Sequence, residues 1–425
     1  MTGAPDGGAL AGAGFTTGHD GALHVFVRPT ASRDERGRPP VGMGREWCTA
    51  SVGTLGDPPL YGCEADLEAG RWVLANDRFA AAAVLRAWAD ADGEDLDPVA
   101  AIERVRPLPG ATVARWHRTR GGWCTETHAR ALPWAPYPPQ EDARTATARV
   151  AAELQHAVAL WAGGRRRPVV LLSGGVDSGL VAAFAHAANP RTAALTVATP
   201  WGSERELAAA TAAHIGVRLE AVEFTEDQLC SRIEDTQVWL QRGEPELCLV
   251  QLLISEARRV AGDLGDVLLT GMGSDLLNAP NDVGMSTGEL GDGTLVGRVR
   301  DAAQTGLFFS GRWHPHDAGG LPIAFPFWEE GPVHAQLSVP SELKEADGYE
   351  KHYLRSLAEA FLPAETAWGR KYAIHDGGGL ADNLARALTR RDGALGGDPL
   401  ASLWQRTVRH RVAGAAQAEP ATTTR

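Results

Sequence analysis

The chain has few cysteines, fewer basic than acidic residues and no long apolar run. Its five cysteines are scattered over 425 residues without a CxxC pair, which argues against a zinc site and is typical of reduced thiols. The 41 basic against 53 acidic residues give a formal net charge of −12, which argues against nucleic acid as the main partner. No apolar run approaches the roughly 20 residues of a membrane span, and the first residues lack the pattern of a signal peptide. We therefore expect a cytoplasmic protein that binds neither nucleic acid nor membrane.

A proline-rich stretch divides the chain into two parts of different composition. Residues 131–143 carry four prolines and follow a part that is rich in glycine and tryptophan, with short strand-like runs. Beyond this stretch, helical and strand-like segments alternate, which predicts a doubly wound parallel sheet of the α/β class. We expect a smaller β-rich domain at 1–140, a larger α/β domain at 144–413 and a disordered tail at 414–425.

A short apolar strand at residues 169–172 ends in the turn SGGVDS, from Ser173 to Ser178. Ligands of open α/β sheets bind at such strand ends, and the start of the following helix attracts anions. The two glycines let backbone N–H groups approach a phosphate, and the serine hydroxyls can donate to its oxygens. A carboxylate beside phosphates is repulsive without a cation, so Asp177 indicates a Mg²⁺ ion that bridges nucleotide oxygens. The turn lacks the GxxxxGK[ST] pattern of a P-loop, and its alternative interpretation is a glycine turn with a helix cap.

A second turn of the same kind strengthens the phosphate-site interpretation. The stretch LLTGMGSD at residues 268–275 again ends an apolar strand in glycine, serine and aspartate. If the two strands are neighbours, their ends offer Asp177 and Asp275 to one metal ion.

The motifs resemble a known superfamily. SGGVDS resembles the pyrophosphate loop of the N-type ATP pyrophosphatases, and residues 165–390 as a whole resemble the asparagine synthetase superfamily, most of all its β-lactam synthetase branch. The matching segments after the loop include LTVATPWGSERELAAATAAHIG, LLTGMGSD and GYEKHYLRSLAEAFLPAETAWGRKYAIHDGGG. The resemblance implies an enzyme that uses ATP and Mg²⁺ to join a carboxylate to an amine. The carboxylate attacks the α-phosphate to give an acyl-adenylate and pyrophosphate, and the amine then displaces AMP.

The resemblance also implies roles for individual residues. It assigns pyrophosphate binding to Ser173, Gly174, Gly175, Asp177 and Ser178. It assigns Mg²⁺ binding to Asp177 and Asp275, and the surroundings of adenine and ribose to Leu171, Val197, Thr270 and Gly271. Lys351 matches a lysine that touches phosphate, and Lys371 matches the catalytic lysine that stabilises negative charge as pyrophosphate leaves and as the tetrahedral intermediate forms. The alternative for both lysines is a solvated surface charge.

The sequence departs from its relatives on the amine side of the reaction. Met272 stands where asparagine synthetases have glutamate and β-lactam synthetases have tyrosine, and a thioether cannot move a proton. The glutamate partner of the β-lactam branch has no counterpart at the expected place. His314 and His316 lie nearby and are either candidate bases or exposed loop residues. His375 and Asp376 either shape the acyl pocket or turn the loop that contains them.

The first domain resembles a reduced glutamine amidotransferase domain of the Ntn type. Residues 71–88 resemble its strand and DRF turn, here Asp77-Arg78-Phe79, and residues 102–116 resemble its later LPPG segment. Thr2 stands where the glutaminase needs an N-terminal cysteine, so we expect a scaffold without glutamine hydrolysis. The same loss is known in β-lactam synthetases and lasso-peptide cyclases, which use an amine already present in the substrate.

We therefore predict an ATP- and Mg²⁺-dependent amide-forming ligase or cyclase that takes a small-molecule or peptide substrate, preferably in an intramolecular closure. The rival within the enzyme class is ammonia-dependent or intermolecular amidation of a small acid. The alternative from another class is an inactive nucleotide-binding partner, which Met272 favours and the combination of Asp177, Asp275 and Lys371 disfavours. A tRNA-modifying pyrophosphatase is disfavoured by the acidic charge. A homodimer or a pathway partner protein stays open.

Overall fold

The computed structural model describes residues 16–18, 23–27, 41–44, 47–52, 60–66, 71–108, 110–119, 122–129, 142–164, 166–278, 295, 297–299, 302–303, 321–369, 379–393 and 398–417. Within these ranges, none of the helices is both long enough and apolar enough to cross a membrane.

The described residues before the proline-rich stretch form two sheets and two helices. Its elements are β1 Thr16–Gly18, β2 Leu23–Val27, β3 Val41–Gly44, β4 Trp47–Ser51, β5 Tyr61–Asp66, β6 Arg71–Ala75, α1 Arg78–Ala91, α2 Pro98–Arg104, β7 Arg106–Pro107, β8 Thr112–Thr119 and β9 Gly122–Ala129. One sheet has the order β1-β2-β6-β5-β7, with only β2 and β6 parallel, and the other is antiparallel in the order β3-β4-β8-β9.

The five-stranded sheet lies between the four-stranded sheet and the helices. Leu74 of β6 packs with Trp116 of β8 in one buried cluster, and Val73 packs with α1 and α2 in another, because successive strand residues face opposite sides. Helix α1 begins at Arg78 because the Asp77 carboxylate caps it, accepting from the Ala80 amide at 3.1 Å. This part is β-rich as predicted, and its likeness to an amidotransferase domain stays a prediction.

The second part alternates helices and strands. Its elements are α3 Ala143–Ala162, β10 Pro168–Leu171, α4 Val176–Ala188, β11 Ala193–Thr199, β12 Gly202–Ser203, α5 Arg205–Ile215, β13 Arg218–Glu223, α6 Glu226–Leu240, α7 Pro245–Leu264, β14 Val267–Leu269, α8 Ser274–Asn278, β15 Ile323–Ala324, a 3-10 turn Pro326–Trp328, α9 Glu330–Leu337, α10 Ser341–Lys344, β16 Glu345–Ala346, β17 Tyr349–Glu350, α11 His352–Ala358, α12 Ala364–Trp368, α13 Leu380–Asp392 and α14 Pro399–Gln417.

The main sheet is parallel, as the alternating pattern predicts. Its order is β13-β11-β10-β14-β15, and the short β12 folds back antiparallel on the end of β11. Val169 and Leu171 enter the apolar cluster on one face, whereas Val170 and Leu172 enter the cluster on the other. Strand β10 reads as a continuous apolar run because helices cover both faces of the sheet.

The last helix ties the two parts together. In α14, Val408 and Val412 join the buried cluster of α1, and the Trp404 ring lies 5.7 Å from the Phe79 ring. Helix α14 continues to Gln417, four residues into the segment expected as a disordered tail, and Ala415, Ala416 and Gln417 are good helix formers. The predicted domain boundaries stay predictions. Residues 418–425 lie outside the described ranges.

Candidate functional site

The two glycine turns meet at the carboxyl edge of the parallel sheet. β10 and β14 are neighbours, with Val170 paired to Leu269, so the turns that follow them start side by side. From β10 the chain proceeds to β11 on one side, while β14 lies on the other. This reversal makes the edge between the two strands a topological switch point, which is where open α/β sheets bind ligands.

The first turn is closed by its own serines. The Ser178 Oγ accepts from the Ser173 amide at 3.1 Å, donates to the Gly175 carbonyl at 3.2 Å and lies 3.0 Å from the Ser173 Oγ. Gly174 has φ of +75°, and a Cβ there would lie 2.6 Å from the Cβ of Leu207 in α5. Glycine is therefore required for both the left-handed conformation and the close approach of α5.

The start of α4 carries no side-chain cap. Its N-cap residue is Gly175, so no capping side chain accepts a hydrogen bond from the amides of the first turn. Asp177 lies in that first turn, where the partial positive charge of the helix start stabilises a carboxylate. An oxyanion of a ligand finds the same favourable field.

The second turn packs directly on the first. A Cβ built on Gly271 would lie 2.7 Å from the Ser178 amide nitrogen, 2.9 Å from the Asp177 carbonyl carbon and 3.0 Å from the Asp177 Cβ. Only a residue without a side chain permits this approach. The contact fixes the distance between the start of α4 and the segment that leads into α8.

Asp177 and Asp275 share one ammonium group. The Lys351 Nζ lies 2.7 Å from the Asp177 Oδ2 and 2.6 Å from the Asp275 Oδ1. The lysine side chain is 2% exposed and that of Asp177 is 5% exposed, whereas Asp275 is half exposed. The other oxygen of Asp177 accepts from the Ser274 hydroxyl at 2.6 Å. The pairing of the two aspartates predicted from the sequence is thus present, with Lys351 between them.

A tight hairpin brings Lys351 to this position. Strands β16 and β17 are joined by the two residues Asp347 and Gly348, with φ of +53° and +76°. These are the conformations of a type I′ turn, for which an Asp-Gly pair is favoured. Lys351 follows β17 directly and is itself left-handed, with φ of +59°. A lysine in that region is uncommon and costs of order 1–3 kcal/mol, so the surrounding contacts must hold it there.

A buried hydrogen-bond network supports α8. The Tyr353 hydroxyl donates to the Asn278 Oδ1 at 2.6 Å, and the Asn278 amide donates to the Ser274 carbonyl and to the Gln336 Oε1. Burial raises the pKa of Tyr353 well above its usual value, and the charge of Asp177 raises it further, while the bond to Asn278 opposes both. The phenol stays protonated and remains a donor. The network therefore holds the short helix that carries Ser274 and the following aspartate.

A second lysine is buried beside the site. Lys344 is completely buried, and its Nζ donates to the Leu277 carbonyl at 2.9 Å. This bond satisfies a carbonyl in the last turn of α8, where a cation is also favoured by the helix dipole.

Glu350 lies next to Lys351, and partial desolvation raises the pKa of its carboxyl group. Lys351 lowers that pKa and Asp275 raises it.

The residues predicted around adenine and ribose lie at the ends of three adjacent strands. Leu171 and Val197 are each 7% exposed and belong to the same apolar cluster, at the ends of β10 and β11. The Thr270 amide donates to Ala324 of β15, and its hydroxyl accepts from the Met272 amide at 3.3 Å. These positions line the same sheet edge as the phosphate-loop candidates, and contact with a nucleoside stays a prediction.

Met272 points to a glutamine rather than to a proton-transfer group. The Gln251 Nε2 of α7 lies 3.6 Å from the Met272 Sδ, and Gln251 is completely buried. Among the described residues, the Gln251 Oε1 has no hydrogen-bond partner. Neither side chain can accept a proton at neutral pH.

The donor set fits a cation that also binds phosphates. In the described ranges no group of three or more histidine, cysteine or acidic side chains could hold a metal by itself. Asp177 and Asp275 supply two carboxylates that already flank one cationic group. Mg²⁺ is typically held by one or two carboxylates together with substrate phosphates, so these two residues fit it.

Some sequence predictions fall on residues beyond the described ranges. They are Lys371, His314, His316, His375 and Asp376.

Two residues to which the sequence gave no role are part of the site. Ser274 bonds to Asp177, and its place at the start of α8 in the GSD turn was a usable signal. Tyr353 gave no such signal, because its partner Asn278 is distant in sequence.

Comparison with known proteins matches the second part of the chain to one family. The asparagine synthase family matches residues 149–286 and 316–423. The carboxyethyl-arginine beta-lactam-synthase of Streptomyces clavuligerus is 26% identical over 348 residues, which is 78% of this chain and 63% of that protein. The chain therefore spans just under two thirds of the length of this relative.

Two solved structures also align with the chain. The NMN synthetase of Francisella tularensis is 10% identical, with 67% of this chain and 99% of that chain covered and a TM-score of 0.30. The NH3-dependent NAD synthetase of Campylobacter jejuni subsp. jejuni is 15% identical, with 64% and 94% covered and a TM-score of 0.29. These TM-scores are too low to support the fold, so its description rests on the observed strand order of the sheet.

Proposed function

Because the chain belongs to the asparagine synthase family, we propose that it is an ATP-dependent ligase that forms an amide bond through an acyl-adenylate. In the first step a substrate carboxylate oxygen bonds to the α-phosphorus of ATP as the bond to pyrophosphate breaks. In the second, an amine nitrogen attacks the acyl carbon, AMP leaves with the electron pair of the C–O bond, and the amine proton passes to a base or to water.

One observation carries this proposal. The turns after β10 and β14 meet at the switch point of the sheet, and they bring Asp177 and Asp275 to one cationic group at the uncapped start of α4. The start of a helix favours an anion such as pyrophosphate, and two carboxylates favour the metal that accompanies it. A plain helix cap accounts for neither the second turn nor the buried lysine.

Different residues of the chain have different roles in the first step. The amides of Gly174, Gly175 and the first turn of α4 bind the leaving pyrophosphate, and Ser178 keeps the turn closed through its bonds to Ser173 and Gly175. Asp177 and Asp275 would hold Mg²⁺, which supplies neutralisation of the triphosphate charge. Lys351 would contact the same phosphates, which is the role that the motif implies.

Lys371 is the proposed catalytic residue of both steps. Its ammonium stabilises the negative charge that develops as pyrophosphate leaves and as the tetrahedral intermediate forms. The chain that leads towards it is anchored near the site, because the Arg355 guanidinium donates to the carbonyls of Ala367 and Gly369 at 2.9 Å each. Arg355 belongs to α11, the helix that begins directly after Lys351.

We propose that the acid and the amine belong to one small molecule or peptide, so that the product is cyclic. One feature supports this version: the relative from Streptomyces clavuligerus is named as a beta-lactam synthase. Ammonia-dependent amidation of a small acid is the rival version.

The test is ATP–pyrophosphate exchange with purified protein and pools of amino acids, β-amino acids, diacids and short peptides. We expect labelled pyrophosphate to enter ATP in the presence of one pool, and AMP to accompany the amide product. Asp177→Asn and Asp275→Asn should each lower exchange by about a hundredfold or more, because each removes a carboxylate that would hold the Mg²⁺ ion needed to neutralise the transferring phosphates.

Asp266→Asn is the matched control. Asp266 lies at the opposite end of β14 and pairs with Arg167 on the surface, so its loss should leave exchange unchanged. Formation of ADP and phosphate in place of AMP and pyrophosphate would refute the adenylation step. Full exchange by the Asp177→Asn protein would refute the assigned site.

One observation favours a second candidate, a nucleotide-binding partner protein that forms no bond. Met272 contacts Gln251, and neither group can remove a proton from an amine. A partner of this kind would bind ATP with Mg²⁺ and show no exchange with any acid pool. Exchange with a single pool therefore decides between the two candidates.

A further inference from the structure

The cation position between Asp177 and Asp275 is taken by a side chain of the protein itself. We propose that Lys351 is a resident counter-ion that excludes free divalent metal ions, so that the site takes a metal only together with a triphosphate. The ligand of the site is then a metal–nucleotide complex rather than a metal ion. The inference rests on the proposed function only for the identity of the nucleotide.

The distances between Lys351 and the two aspartates show that the ammonium and a metal ion cannot occupy this position at the same time. The Lys351 Nζ lies 2.7 Å from the Asp177 Oδ2 and 2.6 Å from the Asp275 Oδ1. A magnesium ion needs its oxygen ligands at about 2.0–2.1 Å and nearly octahedral geometry. It would therefore occupy the space of the ammonium, and both cannot bridge the same two oxygens.

Charge balance explains why the lysine stays in place without a ligand. Asp177 is 5% exposed, and a buried carboxylate must be paired to remain ionised at low cost. Lys351 supplies that pairing, and the Ser274 hydroxyl satisfies the second oxygen. A divalent ion arriving alone would have to displace this ammonium from both carboxylates and would bring no anion to pair with it, whereas a triphosphate brings such an anion.

The backbone at Lys351 supports the same interpretation. Its φ of +59° belongs to the left-handed region, which a lysine occupies only when other contacts compensate. The hairpin places residue 351 in this conformation, and the two ion pairs hold the side chain inward at 2% exposure. The strained backbone supports a role of the Lys351 ammonium as the counter-ion of the two aspartates.

The test measures metal binding without nucleotide. Mn²⁺ serves as the probe, because free Mn²⁺ can be followed by electron paramagnetic resonance. We expect weak binding to the wild-type protein and at least about tenfold tighter binding to the Lys351→Met protein, since the variant lacks the ammonium that competes with the ion for the two carboxylates. Adding Asp275→Asn to that variant should remove the gain.

Lys344→Met is the matched control. Lys344 is equally buried and lies seven positions before Lys351, but its Nζ donates to the Leu277 carbonyl. Its loss should not tighten Mn²⁺ binding, whereas a gain there would attribute the effect to general loosening and overturn the proposal. A folded Lys351→Met protein, checked by circular dichroism, that gains no metal affinity would also overturn it.

The wild-type protein decides the matter if Lys351→Met does not fold. Mn²⁺ should bind tightly only when a non-hydrolysable ATP analogue is present. Equally tight binding without the analogue would refute the counter-ion role. The titrations contain no acid or amine, so they are independent of whether the chain forms an amide. Failure of pyrophosphate exchange alongside the expected Mn²⁺ result would contradict the proposed function alone.

Discussion

A single methyl group at Gly271 should separate the two halves of the site. In Gly271→Ala the new Cβ would lie 2.7 Å from the Ser178 amide nitrogen and 2.9 Å from the Asp177 carbonyl carbon, closer than the 3.0 Å limit that real Cβ atoms respect. Both atoms are backbone in the first turn of α4, so no side chain can rotate away. Overpacking of this kind costs about 1–3 kcal/mol of unfolding free energy. It also moves the loop of Asp177 away from α8.

The functional effect should exceed the effect on stability. A displacement of about 1 Å within a reacting assembly can cost about a hundredfold in rate, so ATP–pyrophosphate exchange should fall by that order. Urea unfolding measures the stability of each protein, and exchange is measured at a temperature where both are folded.

Gly262→Ala provides the comparison for this prediction. Gly262 lies on the exposed side of α7, and a Cβ there meets nothing within 4 Å. Alanine should stabilise that helix by about 0.5–1 kcal/mol and leave exchange unchanged. If Gly271→Ala behaved like Gly262→Ala in both measurements, the close approach of the two turns would not be a requirement of the site.

Two further predictions concern buried groups. Tyr353→Phe should lower the unfolding free energy by about 1 kcal/mol, because the Asn278 Oδ1 loses its phenol donor. Since folding raises the pKa of this tyrosine well above its usual value of 10.0, its contribution is full below pH 10.0 and is lost progressively as the pH rises from there through the folded-state pKa. The unfolding free energies of wild type and variant, measured with urea, should therefore converge as the pH rises above 10.0. Cys124 is exposed, whereas burial raises the pKa of Cys48 and of Cys248 to about 12. Iodoacetamide at pH 8 should therefore label Cys124 well before the two buried thiols in native protein, and equal labelling rates would contradict their burial.

The sequence was sufficient for the architecture of the second part. The alternation of helical and strand-like segments beyond the proline-rich stretch predicted a doubly wound parallel sheet, and β10, β11, β13 and β14 form it. These predictions succeed because a strand buried on both faces must be apolar throughout and must end where polar, flexible residues begin. The resemblance read from the motifs is confirmed by the family match and by the relative from Streptomyces clavuligerus.

The meeting of the two turns also followed from the sequence. Equivalent turns after two strands predict a shared site only if those strands are neighbours, and β10 and β14 are neighbours. Strand β15 was missed because Ile323–Ala324 is only two residues long. Such a segment has no period of its own and depends on the edge that β14 offers.

The contacts of Lys351 were beyond sequence reasoning for a different reason. Its partner Asp177 is 174 positions away, and no local pattern encodes a pair so distant. The motif implied a lysine near phosphate, and a solvated surface lysine was the alternative. The structure removes that alternative, because the side chain is 2% exposed. The packing of α14 on α1 is another long-range contact that the linker between the two parts did not reveal.

The site therefore depends on the assembled sheet and its connections rather than on any one segment. Asp177 comes from the crossover after β10, Asp275 from the turn after β14 and Lys351 from a hairpin that belongs to neither. Asp177 and Lys351 are costly where they stand, since both side chains are buried and the Lys351 backbone is left-handed. These costs offset one another only when all three are in contact. A change that separates the two turns leaves a buried charge unpaired as well as a phosphate site incomplete, which is why one methyl group at Gly271 should affect both stability and exchange.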